Sequence, residues 1–170
     1  MVKYARQNRV VISRRKPIGI RVPPNKAFTY QLKTKNSEVQ IDYPVIFTPD
    51  DPEHYLRRTF DSSSSQSGVP FLSADCFEGS GNRLIYDHNM KNGSMFGELL
   101  NYAKEDFWQD HPLIRFDTLE EEGNYEVFAA FYSKLYTTDG NGFAYYEYTD
   151  ISQQADSEAY LAQVSGAALC

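Results

Sequence analysis

Three histidines and two cysteines are the residues of this 170-residue chain best suited to proton transfer or nucleophilic attack. An imidazole titrates near neutral pH and can give or take a proton, whereas a thiol attacks only as thiolate, which a cationic or helix-terminal setting must favour. His88 has the most telling surroundings. It follows the strand-like run Leu84-Ile85-Tyr86-Asp87 and precedes Asn89-Met90-Lys91-Asn92-Gly93-Ser94-Met95-Phe96-Gly97. The run predicts a strand ending at the histidine, Asn92-Gly93 a turn, and Ser94 the cap of a helix over Ser94–Tyr102. Such a strand end presents an imidazole to a substrate; the alternative is a histidine that only satisfies a core or loop hydrogen bond.

The other candidates are plainer. His54 sits on a Pro-started helical turn at Asp50–Leu56, has no evident partner, and reads as an exposed helix residue. His111 precedes Pro112 and reads as a turn residue. Cys76 has no histidine or basic cluster near it in sequence and reads as a structural thiol. No Cys/His spacing suits zinc, two cysteines exclude a disulfide framework, and no cofactor motif is present. Glu120-Glu121-Glu122 reads as a solvated turn rather than a metal site.

The elements that must hold His88 follow from periodicity. The length fits one domain and can bury roughly two-thirds of its unfolded surface. With 13 Tyr and 11 Phe the composition tilts towards strands. Val39–Tyr43 alternates apolar and polar residues up to Pro44, Val45-Ile46-Phe47 continues it, and further strands are expected at Val69–Leu72, Arg83–Tyr86 and Leu113–Phe116. Tyr125–Tyr136 is apolar on both faces and reads as a central strand. Asp139-Gly140-Asn141-Gly142 predicts a hairpin turn with Phe143–Thr149 returning. Short helices are expected at Ser94–Tyr102, at Glu105–Asp110, and beyond Asp150, the last stopped by Gly166. Asp61–Gly68 reads as a polar, low-complexity loop.

The net charge of −6 conceals an asymmetry. Residues 1–40 carry ten Lys or Arg against Glu38 alone, about +9, and the rest carry seven against 22 Asp or Glu, about −15. The stretch 1–35 therefore reads as a basic, poorly specified arm with Val10-Val11-Ile12 as its one candidate strand, and residues 36–170 as the ordered domain. No nucleic-acid motif accompanies the basic excess, no stretch is long and apolar enough for a membrane span, and no secretory leader opens the chain.

Several motifs in fixed order resemble the class B sortases. They are Ile41-Asp42-Tyr43-Pro44-Val45, Tyr55-Leu56, Tyr86 through Gly97 with His88 in it, Asp106-Phe107-Trp108 through His111-Pro112 to Ile114–Thr118, and Glu122-Gly123-x-Tyr125 through Lys134. The resemblance runs from about Asn36 to the C-terminus. It implies a mainly β fold with added helices, a sortase-type β-barrel on the outer face of a Gram-positive cell, and cysteine transpeptidase chemistry. In that chemistry a thiolate attacks the threonine carbonyl of an Asn-Pro-x-Thr-Asn-like sorting signal, and an amine of the peptidoglycan cross-bridge resolves the thioester. By motif position His88 matches the catalytic histidine, while Tyr86 and Leu56 match residues of the substrate groove. Asp87 stands where glycine is usual; its carboxylate either favours the imidazolium or, the preferred reading, points to solvent.

The resemblance also sets three expectations at the ends. The family's nucleophile lies in a Thr-Leu-x-Thr-Cys strand with an arginine on the next one, whereas Cys170 follows Gly166-Ala167-Ala168-Leu169, a context unlike that motif. Cys170 is thus a doubtful nucleophile, the last two barrel strands are expected to be missing, and the chain alone is expected to be inactive. Residues 1–35 resemble neither the membrane anchor nor the Gly-Trp-type stretch expected before the Ile-Asp-Tyr-Pro strand. The alternative function is a non-catalytic relative that binds a wall peptide or a protein partner.

Overall fold

Period-two alternation of apolar and polar residues marks the strands of this molecule, because an extended chain sends successive side chains to opposite faces. The computed structural model describes residues 8–13, 27–33, 39–76, 81–117, 123–133 and 143–168. Among the described residues seven strands form one sheet: β1 Asn8–Ser13, β2 Ala27–Lys33, β3 Val39–Ile46, β4 Phe71–Leu72, β5 Ile85–Tyr86, β6 Leu113–Asp117 and β7 Asn124–Tyr132. Their spatial order is β1-β7-β6-β2-β3-β4-β5. Every neighbouring pair is antiparallel except β3 and β4, which join in parallel at Ile46 and Phe71.

Two strands come from the stretch read as a poorly specified arm. β1 covers the expected Val10–Ile12 and pairs with β7, while β2, which the sequence reading did not foresee, lies between β3 and β6. Its pattern is regular: Phe28, Tyr30 and Leu32 alternate with Thr29, Gln31 and Lys33. Flanking prolines and lysines conceal it.

The core lies on β3, β6 and β7. Ile41, Val45, Ile114, Phe116, Val127, Ala129 and Phe131 are buried there, and Tyr102, Tyr160 and Val164 reach in from helices. A 3-10 helix at Phe96–Ala103 leads into α1 Glu105–Asp110. The α1 register is locked by polar groups at its apolar contacts. Trp108 Nε1 donates to the Val127 carbonyl at 2.8 Å, and the Tyr102 hydroxyl donates to the His111 carbonyl at 2.6 Å.

The expected return strand at Phe143–Thr149 is instead irregular, with a 3-10 turn at Tyr145–Glu147. β7 is already flanked by β1 and β6, so no edge remains for a returning partner. The aromatic residues pack instead: Phe143 lies 5.9 Å and Tyr148 5.3 Å, ring to ring, from Tyr160. The turn expected at Asp139–Gly142 lies outside the described residues. α2, Gln154–Ala167, runs through Gly166 rather than stopping there, and it begins without a side-chain cap. Among the described residues no helix is long and apolar enough to cross a membrane.

Candidate functional site

His88 lies just beyond β5, a strand of two residues. Tyr86 pairs with Phe71 and Ile85 with Leu72 across to β4, and the Phe71 and Tyr86 rings sit 5.6 Å apart. After β5 the chain closes into a tight loop. The His88 carbonyl accepts the Phe96 N–H at 3.0 Å, Asn89 bridges to Met95, and the Met90 carbonyl accepts the Gly93 N–H at 3.0 Å. The histidine backbone is therefore pinned at both ends of the loop.

Ser94 does not cap the helix. Its N–H and hydroxyl both turn back to Asn92 Oδ1, at 3.1 and 2.7 Å, and the 3-10 helix starts after Met95. Met95 is buried with φ 55° and ψ −126°, a backbone region that costs a residue with a side chain roughly 1–3 kcal/mol. Its N–H donates to the Tyr43 hydroxyl at 3.3 Å. Gly97 permits the close return: a Cβ there would stand 2.8 Å from the Met90 carbonyl oxygen.

Leu56 sits half-buried on a 3-10 turn, His54–Arg57, whose carbonyls hold the serine-rich loop. The Arg57 carbonyl accepts the Ser65 N–H at 3.0 Å and the Tyr55 carbonyl the Val69 N–H at 3.1 Å. Asp61 orders the loop tip by accepting from the Thr59 hydroxyl and, at 3.0 Å, from the Ser63 N–H, and these bonds hold its carboxyl below the usual value. Gly68, at φ +66°, seals the base; a Cβ would lie 2.5 Å from the Leu56 carbonyl oxygen.

This loop meets the histidine. Burial first, then the Arg57 guanidinium, holds the His88 imidazole below its ordinary value, and a hydrogen bond with the Ser67 backbone opposes them. His88 is thus biased to the neutral form, able to accept a proton. The fold brings the Leu56 turn to His88 through Arg57 and Ser67, and Tyr86 arrives with His88 on the same short segment. Sequence reasoning missed Arg57 and Ser67, since nothing in a chain shows that a residue 31 positions away will dock there.

Asp87 overturns both readings made of it. Its carboxyl oxygens are buried rather than solvated, and burial pushes the group up to about 8. It supplies no charge that favours the imidazolium, because His88 shifts downward. His54 also has partners that the sequence did not reveal: Asp51 Oδ2 at 2.9 Å from its Nδ1, and the Tyr55 ring at 4.8 Å. His111 closes α1, its Nδ1 2.9 Å from the Phe107 carbonyl and its ring stacked 4.0 Å from that of Phe107.

Cys76 is a structural thiol. It is buried, its sulfur accepts the Leu84 N–H at 3.2 Å, and burial pushes it up to about 11. A thiol so placed forms no nucleophile at neutral pH. Cys170 lies outside the described residues. Among the described residues no group of His, Cys, Asp and Glu is arranged to hold a metal ion.

Solved structures share this fold of a mainly β sheet with helices laid against it. The structure "Sortase B from Listeria monocytogenes" superposes with TM-score 0.70 at 28% identity, covering 86% of this chain and 78% of that one. A Staphylococcus aureus sortase B–substrate complex gives TM-score 0.70 at 23% identity, covering 85% of this chain and 62% of that one, a likeness of fold alone. In sequence, Sortase B of Listeria monocytogenes serovar 1/2a is 32% identical over 130 residues, 75% of this chain and 49% of that protein. No protein-family model matches. The chain belongs to the class B sortases. It spans about half the length of the curated relatives it matches.

Proposed function

We propose that His88 is the general acid/base of a class B sortase-type transpeptidation. The substrate class is an Asn-Pro-x-Thr-Asn-like sorting signal, bound along Leu56 and Tyr86. A thiolate adds to the threonine carbonyl, the C–N bond breaks, and His88 as imidazolium gives its proton to the leaving amine. The neutral imidazole then takes a proton from the incoming cross-bridge amine as that nitrogen attacks the thioester and releases the thiolate. The action belongs at the outer face of the cell envelope. The observation that carries the reading is the setting of His88: half-buried, fixed through its backbone, and biased to the neutral form that must accept a proton.

Neither cysteine fits the attacking role. Cys76 is buried with its thiol pushed up to about 11, and Cys170 lacks the Thr-Leu-x-Thr context. A fluorogenic sorting peptide should therefore show no cleavage by the chain alone, while the same peptide should perturb the NMR signal of the His88 imidazole and leave those of His54 and His111 in place. Cleavage abolished by Cys170→Ala would overturn the first statement. A peptide that leaves His88 unperturbed would overturn the second. Binding without cleavage is equally the behaviour of a non-catalytic relative, a reading favoured by the burial of Cys76. Supplying an exogenous thiol separates the two, since only an intact proton-transfer site would make cleavage by that thiol depend on His88.

A further inference from the structure

Asp87 is the one acidic group in the His88 segment that the mechanism does not use. Both of its oxygens are buried without a hydrogen-bond partner. The His88 backbone N–H is the only group that favours its ionised form, and it falls short of hydrogen-bond geometry. No charged side chain among the described residues acts on it. Arg57 acts on His88 instead, and neither Arg83 before Asp87 nor Lys91 and Glu98 after it contributes. A buried carboxylate with no cation and no donor is far costlier than the neutral acid, so the native segment holds the proton.

We propose that Asp87 is a positioning residue for His88: its uncharged carboxylic acid lets the segment after β5 seat against the core, and loss of that proton drives the side chain towards water and moves the imidazole with it. The coupling is short. One peptide bond separates the residues, β5 holds the segment through only two pairs, and the His88 carbonyl to Phe96 N–H bond at 3.0 Å is the anchor that must yield. The proton passes to water, so no other reactant is needed. The inference rests on the reading of His88 as the proton-transfer residue, and it adds a pH above which that residue is misplaced.

The sign of the effect is set by the direction of the shift. An acid held at about 8 in the folded chain and near 3.9 unfolded keeps a proton that the unfolded chain has given up. Stability therefore falls as pH rises between those values and levels off above the upper one. Asp87→Asn keeps the shape without the titration, and Asp87→Gly removes the carboxyl altogether.

NMR titration of the His88 ring in the full chain decides the matter. In the native protein the His88 signal should show its own step and a second step close to pH 8, and sorting-peptide affinity should drop about tenfold across that second step. Asp87→Asn should lose the second step and keep its affinity at high pH. If that variant does not fold, Asp87→Gly must give the same single step. A native protein with one step, or a variant that keeps both, would overturn the proposal. The melting temperature gives a second criterion: the gap between Asp87→Asn and native protein should widen as pH rises to about 8 and then level off. A gap independent of pH would mean a merely structural side chain and would also overturn it. A peptide that fails to perturb His88 in either protein at neutral pH counts against the proposed function, while the Asp87-dependent step remains readable without it.

Discussion

The two ends of the sheet are built to different standards. At the β7 end, a nine-residue strand is paired on both sides, with Val127, Ala129 and Phe131 buried, and it is covered by an aromatic cluster in which Phe143 meets Tyr145, Tyr148 and Tyr160. At the β5 end, two residue pairs hold a strand that leads to an unsatisfied carboxyl, a half-buried imidazole and a left-handed methionine. The first end is where apolar area has been removed from water and polar atoms have found partners. Asn82 Nδ2, for example, donates to the Tyr148 carbonyl at 2.6 Å. The second end has its departures, the unsatisfied Asp87 carboxyl and the positive φ of Met95, on the segment that carries the candidate acid/base. Strain and unsatisfied polar groups persist only where the surroundings over-determine them, and they gather where a side chain must be held in a costly place.

The sharpest way to break the contrast is to empty the well-packed end. Tyr160 is buried, its hydroxyl bonds to the Asn82 side chain, and burial raises that hydroxyl to about 12. Tyr160→Ala should remove about 4 kcal/mol of stability, the cost of a large aromatic lost from a core that relaxes only in part. Urea unfolding measures it. A loss below about 1 kcal/mol would mean that the cluster is not the stabilising half of the molecule.

Gly68→Ala probes the other half with a smaller expected loss, about 2 kcal/mol, from a left-handed backbone and a Cβ driven into the Leu56 and Tyr55 carbonyls. Its value lies in a second readout. If the loop base opens, Arg57 and Ser67 withdraw from His88 together. Burial and the guanidinium, which lower the imidazole value, outweigh the Ser67 bond, which raises it, so the His88 titration should move upward towards its ordinary value. Tyr160→Ala, acting on the packing of α2 against β7, should leave the His88 titration in place at temperatures where the protein stays folded. A His88 titration that responds to both variants alike would show that the two ends are one cooperative unit.

What was legible in the chain follows the same division. β3, β6 and β7 alternate or run apolar strongly enough to be read directly, and His88 was legible because a strand, a turn and a helix meet at it within fourteen residues. β2 was hidden by prolines and lysines on its flanks although its own alternation is regular. The stretch 143–149 alternates as a strand would, but pairing is a property of the partner's free edge, and β7 had none to offer. Asp87 is the most instructive miss. A carboxylate between a tyrosine and a histidine reads as solvated because burying it is expensive, and the expense is invisible until the backbone shows which way the side chain turns. Arg57 and Ser67 needed the docking of the serine-rich loop, a contact between segments well apart in the chain.

Cys76 offers the smallest effect and a clean check on where the protected interior ends. It follows β4 and accepts from Leu84, just before β5, so it belongs to the weaker end by position yet is as buried as the core. Burial pushes its thiol up to about 11, so the folded chain disfavours thiolate, and stability should decline as pH rises from the ordinary thiol value towards that figure. At neutral pH the effect on stability is negligible, and reactivity becomes the useful measure. Alkylation followed by peptide mapping should label Cys76 at least about 100-fold more slowly in native buffer than in urea, because both access and thiolate fraction are lost on folding. Slow labelling would place Cys76 and Leu84 within the protected interior, so that the departures at Asp87, His88 and Met95 are confined to the site. Labelling at the unfolded rate would instead show the whole β4–β5 end opening in solution, and the contrast between the two ends would then be one of folding stability rather than of local design.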